Sequence, residues 1–123
     1  MSYPGAGVGV AAPRFVHSCN IENKSSNNVN VQIVYRKVER EGGLVEGVTS
    51  NFDIPASGNY QVAERVIECG SFQCRDTIES IEITRADGQT QKLTAPFDGV
   101  FSPQLDWLFV IDENQIHSVK KND

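Results

Sequence analysis

The chain has 123 residues and a formal net charge of −5, from 11 Lys and Arg against 16 Asp and Glu. This length fits one domain and allows a hydrophobic core without obligatory disulfides or metals. The acidic balance, with no basic run longer than Lys120-Lys121, argues against nucleic-acid binding. The charged fraction of 22% is ordinary for a globular protein, which argues against disorder of the whole chain.

The first fourteen residues predict a flexible arm over 1–14, because five of them are Gly or Pro and the side chains can bury little surface. The glycines at 5, 7 and 9 have no preceding strand or following helix, so a phosphate-binding loop is not expected. The segment also lacks the positive region of a signal peptide, and no stretch approaches the ~20 apolar residues of a membrane helix. We therefore expect a cytoplasmic protein without membrane contact.

From Phe15 onward, short runs of Val, Ile, Thr, Phe and Tyr alternate with clusters of Asn, Ser, Gly, Asp and Pro, a pattern typical of strands and turns. In the clearest run, 29–35, apolar residues alternate with polar ones, so one face should be buried. Gly42-Gly43 and Asp87-Gly88 predict hairpin turns, the second as a two-residue loop. The predicted strands are 15–22, 29–35 with a polar extension over 37–41, 44–54, 60–68, 78–85, 90–95, 107–111 and 115–120.

This order of strands, with no helical period, predicts an all-β fold. Our preferred architecture is an antiparallel β-sandwich of about 7–8 strands, and a small closed β-barrel is the alternative. We expect one domain over 15–120 and a short tail over 121–123. Parallel α/β folds are excluded because no segment can form a crossover helix.

The three cysteines raise the questions of disulfide and metal chemistry. Cys69 and Cys74 bracket a short loop while Cys19 stands alone. Because cytosolic thiols are kept reduced, we expect three free thiols, with a Cys69–Cys74 disulfide as the alternative. His17 and Cys19 should share a strand face and could join the other thiols around zinc, but structural zinc sites usually draw on closely paired cysteines. We predict no metal and no cofactor, and we expect His17 to be a half-exposed strand residue.

Catalytic groups are no better supported. A nucleophile needs an activating His, the chain has only His17 and His117, and no G-x-S-x-G turn is present. Two carboxylates could serve a glycosidase, yet sixteen acids make chance pairs certain. We expect His117 and the candidate acids to be solvated surface groups, and we assign no catalytic residue. Those acids are Glu79, Glu82, Asp112 and Glu113.

Aromatic residues could instead line a binding surface. The segment 97–103 has the composition of a loop with two rings, Phe97 and Phe101. Both rings could be exposed for contact, but we favour their folding back to cap the sandwich. Trp107 lies in an apolar run and is expected in the core. The remaining candidates are Tyr3, Tyr60 and Phe72.

One stretch of some forty residues combines strand and turn signals: Ile21-x-Asn23-x-Ser25, Val29-x-Val31-x-Ile33-x-Tyr35 and Phe52-x-Ile54-Pro55-x-x-Gly58. This stretch resembles the first strands of several small cytosolic β-sandwiches, of which the von Hippel-Lindau β-domain is one. It contains no functional motif, so the resemblance implies no site residue and only favours partner binding. Asn23-Lys24-Ser25, which matches a glycosylation acceptor, is expected to be a turn.

Taken together, these features predict a non-enzymatic cytoplasmic module that binds another protein through an exposed sheet edge or through the 97–103 loop. A small-molecule or carbohydrate-binding sandwich is the first alternative, and it requires a concave site. A small hydrolase or metal-binding protein that uses the Cys and His residues is the second.

Overall fold

A computed structural model describes residues 13–40, 43–45 and 47–119. Twelve strands and no helix occur in this part of the chain. The strands are β1 Cys19–Asn23, β2 Val29–Tyr35, β3 Val38–Arg40, β4 Gly43–Val45, β5 Thr49–Ile54, β6 Asn59–Val62, β7 Val66–Glu68, β8 Gln73–Arg75, β9 Ile78–Arg85, β10 Thr90–Thr94, β11 Trp107–Ile111 and β12 Ile116–Val119.

Eight of these strands form two four-stranded sheets that pack into a β-sandwich. Sheet one has the order β12-β11-β1-β6 and sheet two the order β10-β9-β2-β5. The remaining strands form two separate hairpins, β3-β4 and β7-β8. The predicted all-β sandwich is confirmed, and the sheets keep their own edges instead of closing into the alternative barrel.

The core lies between the sheets and follows from alternation along the strands. In β2 every second residue from Val29 to Tyr35 is buried and the residues between are half-buried, as its sequence predicts. Ile33 and Val31 of β2 pair with Ile81 and Ile83 of β9, and all four side chains are fully buried. Sheet one contributes Cys19, Ile21, Trp107, Phe109 and Ile111 from its two central strands.

The close approach of the segment before β5 to the end of β2 depends on Gly47. A side chain at Gly47 would place its Cβ 1.7 Å from the Tyr35 carbonyl oxygen, so only glycine fits there. The close approach lets the Tyr35 amide donate to the Val48 carbonyl at 2.9 Å, which extends the β2-β5 ladder beyond β5 itself.

The loop after β1 is fixed by the Asn23 side chain, which is 1% exposed. Its Nδ2 donates to the Asn27 and Ile54 carbonyls, each at 2.9 Å, and its Oδ1 accepts from the Ser25 hydroxyl at 2.6 Å. Asn23 therefore ties this turn to the end of β5, and the prediction of a turn at Asn23-Lys24-Ser25 is confirmed.

Several sequence-based predictions differ from the structure. β1 begins at Cys19 instead of Phe15, and it pairs with β11 in parallel although all other strand pairs of the described residues are antiparallel. The predicted strand 60–68 is two strands in different sheets, because residues 63–65 leave the ladder. Residue 42, the predicted turn glycine, lies outside the described residues, as do most of the predicted arm and all of the predicted tail.

The β9-β10 connection is a three-residue loop instead of the predicted two-residue one. The Arg85 amide donates to the Gln89 carbonyl at 2.8 Å, and the Gly88 amide donates back to the Arg85 carbonyl at 2.8 Å. Gly88 has a φ of 92°, the left-handed conformation that closes such a loop after a type I turn.

Candidate functional site

The connection from β10 to β11 crosses between the sheets and is anchored in the core. Phe97 and Val100 are 4% and 1% exposed, and the Phe97 ring meets Phe109 edge-on with a centroid distance of 5.1 Å. The Val100 amide donates to the Phe97 carbonyl at 3.1 Å, and Gly99 has a φ of 84°. This is the geometry of a type II turn, which fixes where the following residue, Phe101, emerges.

Beyond that turn the chain is held against the segment that precedes β1. The Gln104 amide donates to the Phe15 carbonyl at 2.8 Å, and the His17 amide donates to the Gln104 carbonyl at 3.0 Å. The Asp106 amide donates to the Ser18 hydroxyl at 2.7 Å. Phe101 is therefore carried by a hydrogen-bonded frame.

Two pairs of an aromatic ring and a guanidinium group lie on this frame. Phe101 is 70% exposed, and the Arg14 Cζ lies 5.7 Å from its ring centroid. The Arg36 Cζ lies 4.7 Å from the centroid of the half-buried Phe15 ring. Both distances are within the range of cation–π attraction. We name Arg14, Phe15, Arg36 and Phe101 the aromatic–arginine surface.

The charges on this surface are not neutralised by the residues that the structure describes. Within them, Arg14 and Arg36 form no ion pair, whereas Arg65 pairs with Asp76 at 3.2 Å and Arg75 pairs with Glu64 at 2.8 Å. A cleft of about 270 Å³ adjoins the surface, and Glu79 supplies a carboxylate to its lining. The surface thus offers positive charge beside apolar rings in a chain whose net charge is negative.

His17 is buried, which corrects the expectation of a half-exposed strand residue. It is 6% exposed, and its Nδ1 lies 2.9 Å from the Asp76 carbonyl oxygen. Asp76 is itself 1% exposed, and its carboxylate accepts from the Thr77 amide at 3.1 Å and from Arg65. His17 therefore joins the segment before β1 to the segment before β9.

The cysteines do not form the candidate zinc set. Cys69 and Cys74 are joined by a disulfide, against the expectation of three free thiols. Cys19 is fully buried, and burial, followed by the negative charge of Asp106, raises the pKa of its thiol to about 12. Among the described residues, no group of three or more His, Cys, Asp or Glu side chains could hold a metal ion.

His117 forms an exposed pair with Asp112, whose Oδ2 lies 2.6 Å from the imidazole Nε2. Backbone amides of Gln115 and Asn114, and then His117, lower the pKa of Asp112 to about 2. The other imidazole nitrogen lies 3.4 Å from the Gln115 side-chain nitrogen. Within the described residues, both ring nitrogens of His117 contact these two side chains, and neither is hydrogen-bonded to a hydroxyl or a thiol.

The other candidate acids are dispersed. Glu79 and Glu82 belong to β9, and Glu113 follows β11. Glu79 and Glu113 line two different clefts, and Glu113 accepts a hydrogen bond from the Ser26 amide at 2.9 Å. No two of the four candidate carboxylates line the same one of these clefts, whereas a glycosidase needs two that face each other across one cleft.

The candidate aromatics divide between core and surface. Trp107 is 2% exposed, as expected, and donates its indole N–H to Ser118 at 2.9 Å. Phe97 caps the core as we favoured, but Phe101 does not fold back with it. Tyr60 is partly exposed and stacks on Phe52 with a centroid distance of 3.8 Å. Phe72 is exposed between the two disulfide cysteines, and Tyr3 lies outside the described residues.

Comparisons with protein-family models, curated proteins and solved structures found no match to this chain, so none supports the resemblance noted from its sequence. Across the described residues, no helix has the length and apolar character that a bilayer crossing requires. The aromatic–arginine surface is the feature that the sequence indicated only in part. The sequence predicts Phe101 in a loop and Arg14 in the arm, and it gives no indication of the position of Arg36.

Proposed function

We propose that the protein is a binding module whose aromatic–arginine surface engages a partner protein bearing carboxylates next to an apolar side chain. The observation that carries this proposal is the exposed Phe101 ring on a hydrogen-bonded frame, with a guanidinium group beside it. A preorganised ring loses little conformational freedom on binding, so more of its contact energy becomes affinity.

The chemistry of the surface indicates the partner's chemistry. Aromatic and Arg side chains are enriched among the residues that dominate protein–protein binding energy. A guanidinium group donates in a planar fork that matches a carboxylate, and it can do so while resting on a ring. Arg14 and Arg36 therefore favour Asp or Glu, while Phe101 and the adjoining cleft favour an apolar side chain.

A displayed library of random peptides, selected on the immobilised full-length chain, tests this proposal. We expect enrichment of sequences with Asp or Glu flanking an apolar residue. Phe101→Ser and Arg36→Ala should each weaken binding of the selected peptides about tenfold, the range of a modest interface hot spot. Because the contact includes charges, binding should also weaken as salt is raised.

Lys92→Ala provides the matched control, since it removes one exposed cation from β10, outside the aromatic–arginine surface. Unchanged binding in Lys92→Ala beside weak binding in Arg36→Ala supports a local role for Arg36. Selected peptides without acidic residues, or equal effects of the two variants, would contradict the proposal.

A second candidate function rests on a different cleft of about 370 Å³ between three loops at one end of the sandwich. Six of its eight lining residues have polar side chains, which favours a small ligand with hydrogen-bonding groups, such as a sugar. The Arg85 Nε atom beside it is buried and has no acceptor within the described residues. Saturable binding in a glycan array, abolished by Arg85→Gln, would favour this candidate. The polar lining residues are Ser25, Asn27, Asn28, Arg85, Asp87 and Glu113.

The compartment is proposed as cytoplasmic, from the sequence alone. The Cys69–Cys74 disulfide makes this testable, because cytosolic thiols are kept reduced. Alkylation of the pair in freshly lysed, acid-quenched cells should find it reduced if the protein resides in the cytoplasm. A fully oxidised pair would point to an oxidising compartment.

A further inference from the structure

The outer edge of sheet two is formed by β5, and its backbone groups are open. Within the described residues, β5 pairs with β2 on one side and with no strand on the other. The Tyr35 amide bonds to the Val48 carbonyl, and residues of an antiparallel ladder alternate between facing the partner and facing away. The N–H and C=O groups of Thr49, Asn51 and Asp53 therefore point outward.

This edge lacks most of the usual protections. Natural sheet edges carry Lys or other charged residues, Pro or a bulge that disfavours pairing with another chain. Within its six residues, TSNFDI, β5 has no Lys, Pro or bulge, and its one charged residue is Asp53. The opposite edge of the same sheet carries such a protection, because β10 has Lys92 at its centre, between Thr90 and Thr94. By the same alternation, the backbone N–H and C=O groups of Lys92 point away from β9. Two copies of β10 paired about their centres would therefore place two Lys92 side chains opposite each other.

The sequence of β5 allows it to pair with a second copy of itself without opposing like charges. If two copies run antiparallel about a two-fold axis at Asn51, Thr49 of one copy lies opposite Asp53 of the other. The three outward-facing residues then meet only outward-facing residues, and no two like charges are opposite each other. A shift that placed Asp53 opposite Asp53 would oppose two carboxylates, so the pairing centred on Asn51 is favoured.

Apolar side chains beside the edge would add to the contact. Val48, which directly precedes β5, is 42% exposed, and Tyr60 is 41% exposed where it stacks on Phe52. In the Asn51-centred pairing, Val48 of one copy lies opposite Ile54 of the other, on the face that carries Phe52. A two-fold contact brings each of these exposed groups to the interface from both copies.

We propose that two copies of this chain associate through their β5 strands to form one continuous eight-stranded sheet across a two-fold axis centred on Asn51. The occupant of the edge is a second copy because the edge pairs with itself in hydrogen-bonding register without opposing like charges, and because the exposed Val48 and Tyr60 lie beside it. This proposal is independent of the aromatic–arginine surface, and Phe101→Ser should leave it unaffected.

Sedimentation equilibrium of the full chain tests the association. We expect a mass of about 27 kDa, twice the 13.5 kDa of one chain. Asn51→Lys places two ammonium groups face to face at the axis and should weaken dimerisation about tenfold or more. Thr90→Lys puts the same charge on the opposite edge of the sheet and should leave the dimer intact. A mass of 13.5 kDa at about 1 mM protein, where even weak dimers form, would overturn the proposal.

Cross-linking keeps the test decisive even if Asn51→Lys fails to fold. Facing residues of a hydrogen-bonded antiparallel pair have Cα atoms about 5.5 Å apart, which a disulfide can bridge. Asn51→Cys should therefore give a covalent dimer under mild oxidation, while Thr90→Cys should not. The native cysteines do not interfere, because Cys19 is buried and Cys69 and Cys74 are joined. Equal cross-linking of both variants, or of neither, would also overturn the proposal.

Discussion

Two phenylalanines four residues apart have opposite environments, and this difference yields a prediction at the level of single residues. Phe97 is buried against Phe109, whereas Phe101 is 70% exposed. Phe97→Ser should lower the free energy of unfolding by about 3–5 kcal/mol, because a cavity and a buried hydroxyl replace the ring. Phe101→Ser should change it by less than about 0.5 kcal/mol.

Urea unfolding followed by the fluorescence of Trp107, the single tryptophan, measures both values. The comparison has its own control, since each variant makes the same substitution in the same loop. A loss of several kcal/mol for Phe101→Ser would place that ring in the core and remove the aromatic–arginine surface. Similar small losses for both variants would contradict the anchoring of the loop by Phe97.

At this scale the sequence could predict residue types but not which of them meet. A loop with two rings was evident, yet the partner that buries Phe97 is on β11, and local spacing gives no indication of that contact. Arg14 lies before β1 and Arg36 lies directly after β2. Their approach to the rings therefore depends on how the two sheets pack. The burial of His17 is not predictable from local spacing either, because its hydrogen-bond partner Asp76 is 59 residues away in the chain.

At the level of elements, the strands whose first and last residues were predicted correctly are those with a clear local sequence pattern. β2 alternates apolar and polar residues, β9 has a turn signal at its end, and β11 is a short apolar run. By contrast, the segment 60–68 has mixed faces because it serves two sheets. The parallel pairing of β1 with β11 was not predictable, since the chain between these two strands includes all four strands of sheet two.

The β7-β8 hairpin gives a prediction at the same level. Val66–Glu68 and Gln73–Arg75 are three residues each, too short for a stable hairpin alone, and the Cys69–Cys74 disulfide closes their connecting loop. The double variant Cys69→Ser with Cys74→Ser should lower the free energy of unfolding by about 2 kcal/mol, the loop-closure entropy of a six-residue ring. Cleavage by a low concentration of protease should then begin between residues 66 and 75.

Urea unfolding of the oxidised and the reduced wild-type chain provides the control. Reduced wild type should lose about 2 kcal/mol from the missing cross-link alone, and the double variant should lose at least as much, because Ser also places a hydroxyl at the fully buried position 69. Cys19 remains in both and so does not enter the comparison. If reduction left the free energy of unfolding unchanged, the disulfide would not stabilise this protein by lowering the entropy of its unfolded chain.

At the scale of the whole molecule, the sandwich places two acidic groups, the Cys19 thiol and the Tyr35 phenol, in the layer between its sheets. Cys19 is on sheet one and Tyr35 on sheet two, and both are among the buried core residues. Burial raises the pKa of each to about 12, from 9.0 for the thiol and 10.0 for the phenol. The folded state therefore keeps protons that the unfolded chain releases in alkaline solution.

This layer predicts the alkaline limit of the fold. Between pH 9 and 12 the unfolded chain binds fewer protons than the folded one, so the free energy of unfolding must fall as pH rises. The thiol alone contributes a loss of roughly 2 kcal/mol between pH 9 and 11, because the slope approaches about 1.4 kcal/mol per pH unit only above the unfolded-state pKa of 9.0. Cys19→Ala should be less stable at pH 7 because it leaves a small cavity, yet its stability should decline less steeply above pH 9. Urea unfolding at intervals from pH 7 to 11 measures both slopes. Parallel pH profiles for wild type and variant would show that Cys19 is not held neutral between the two sheets.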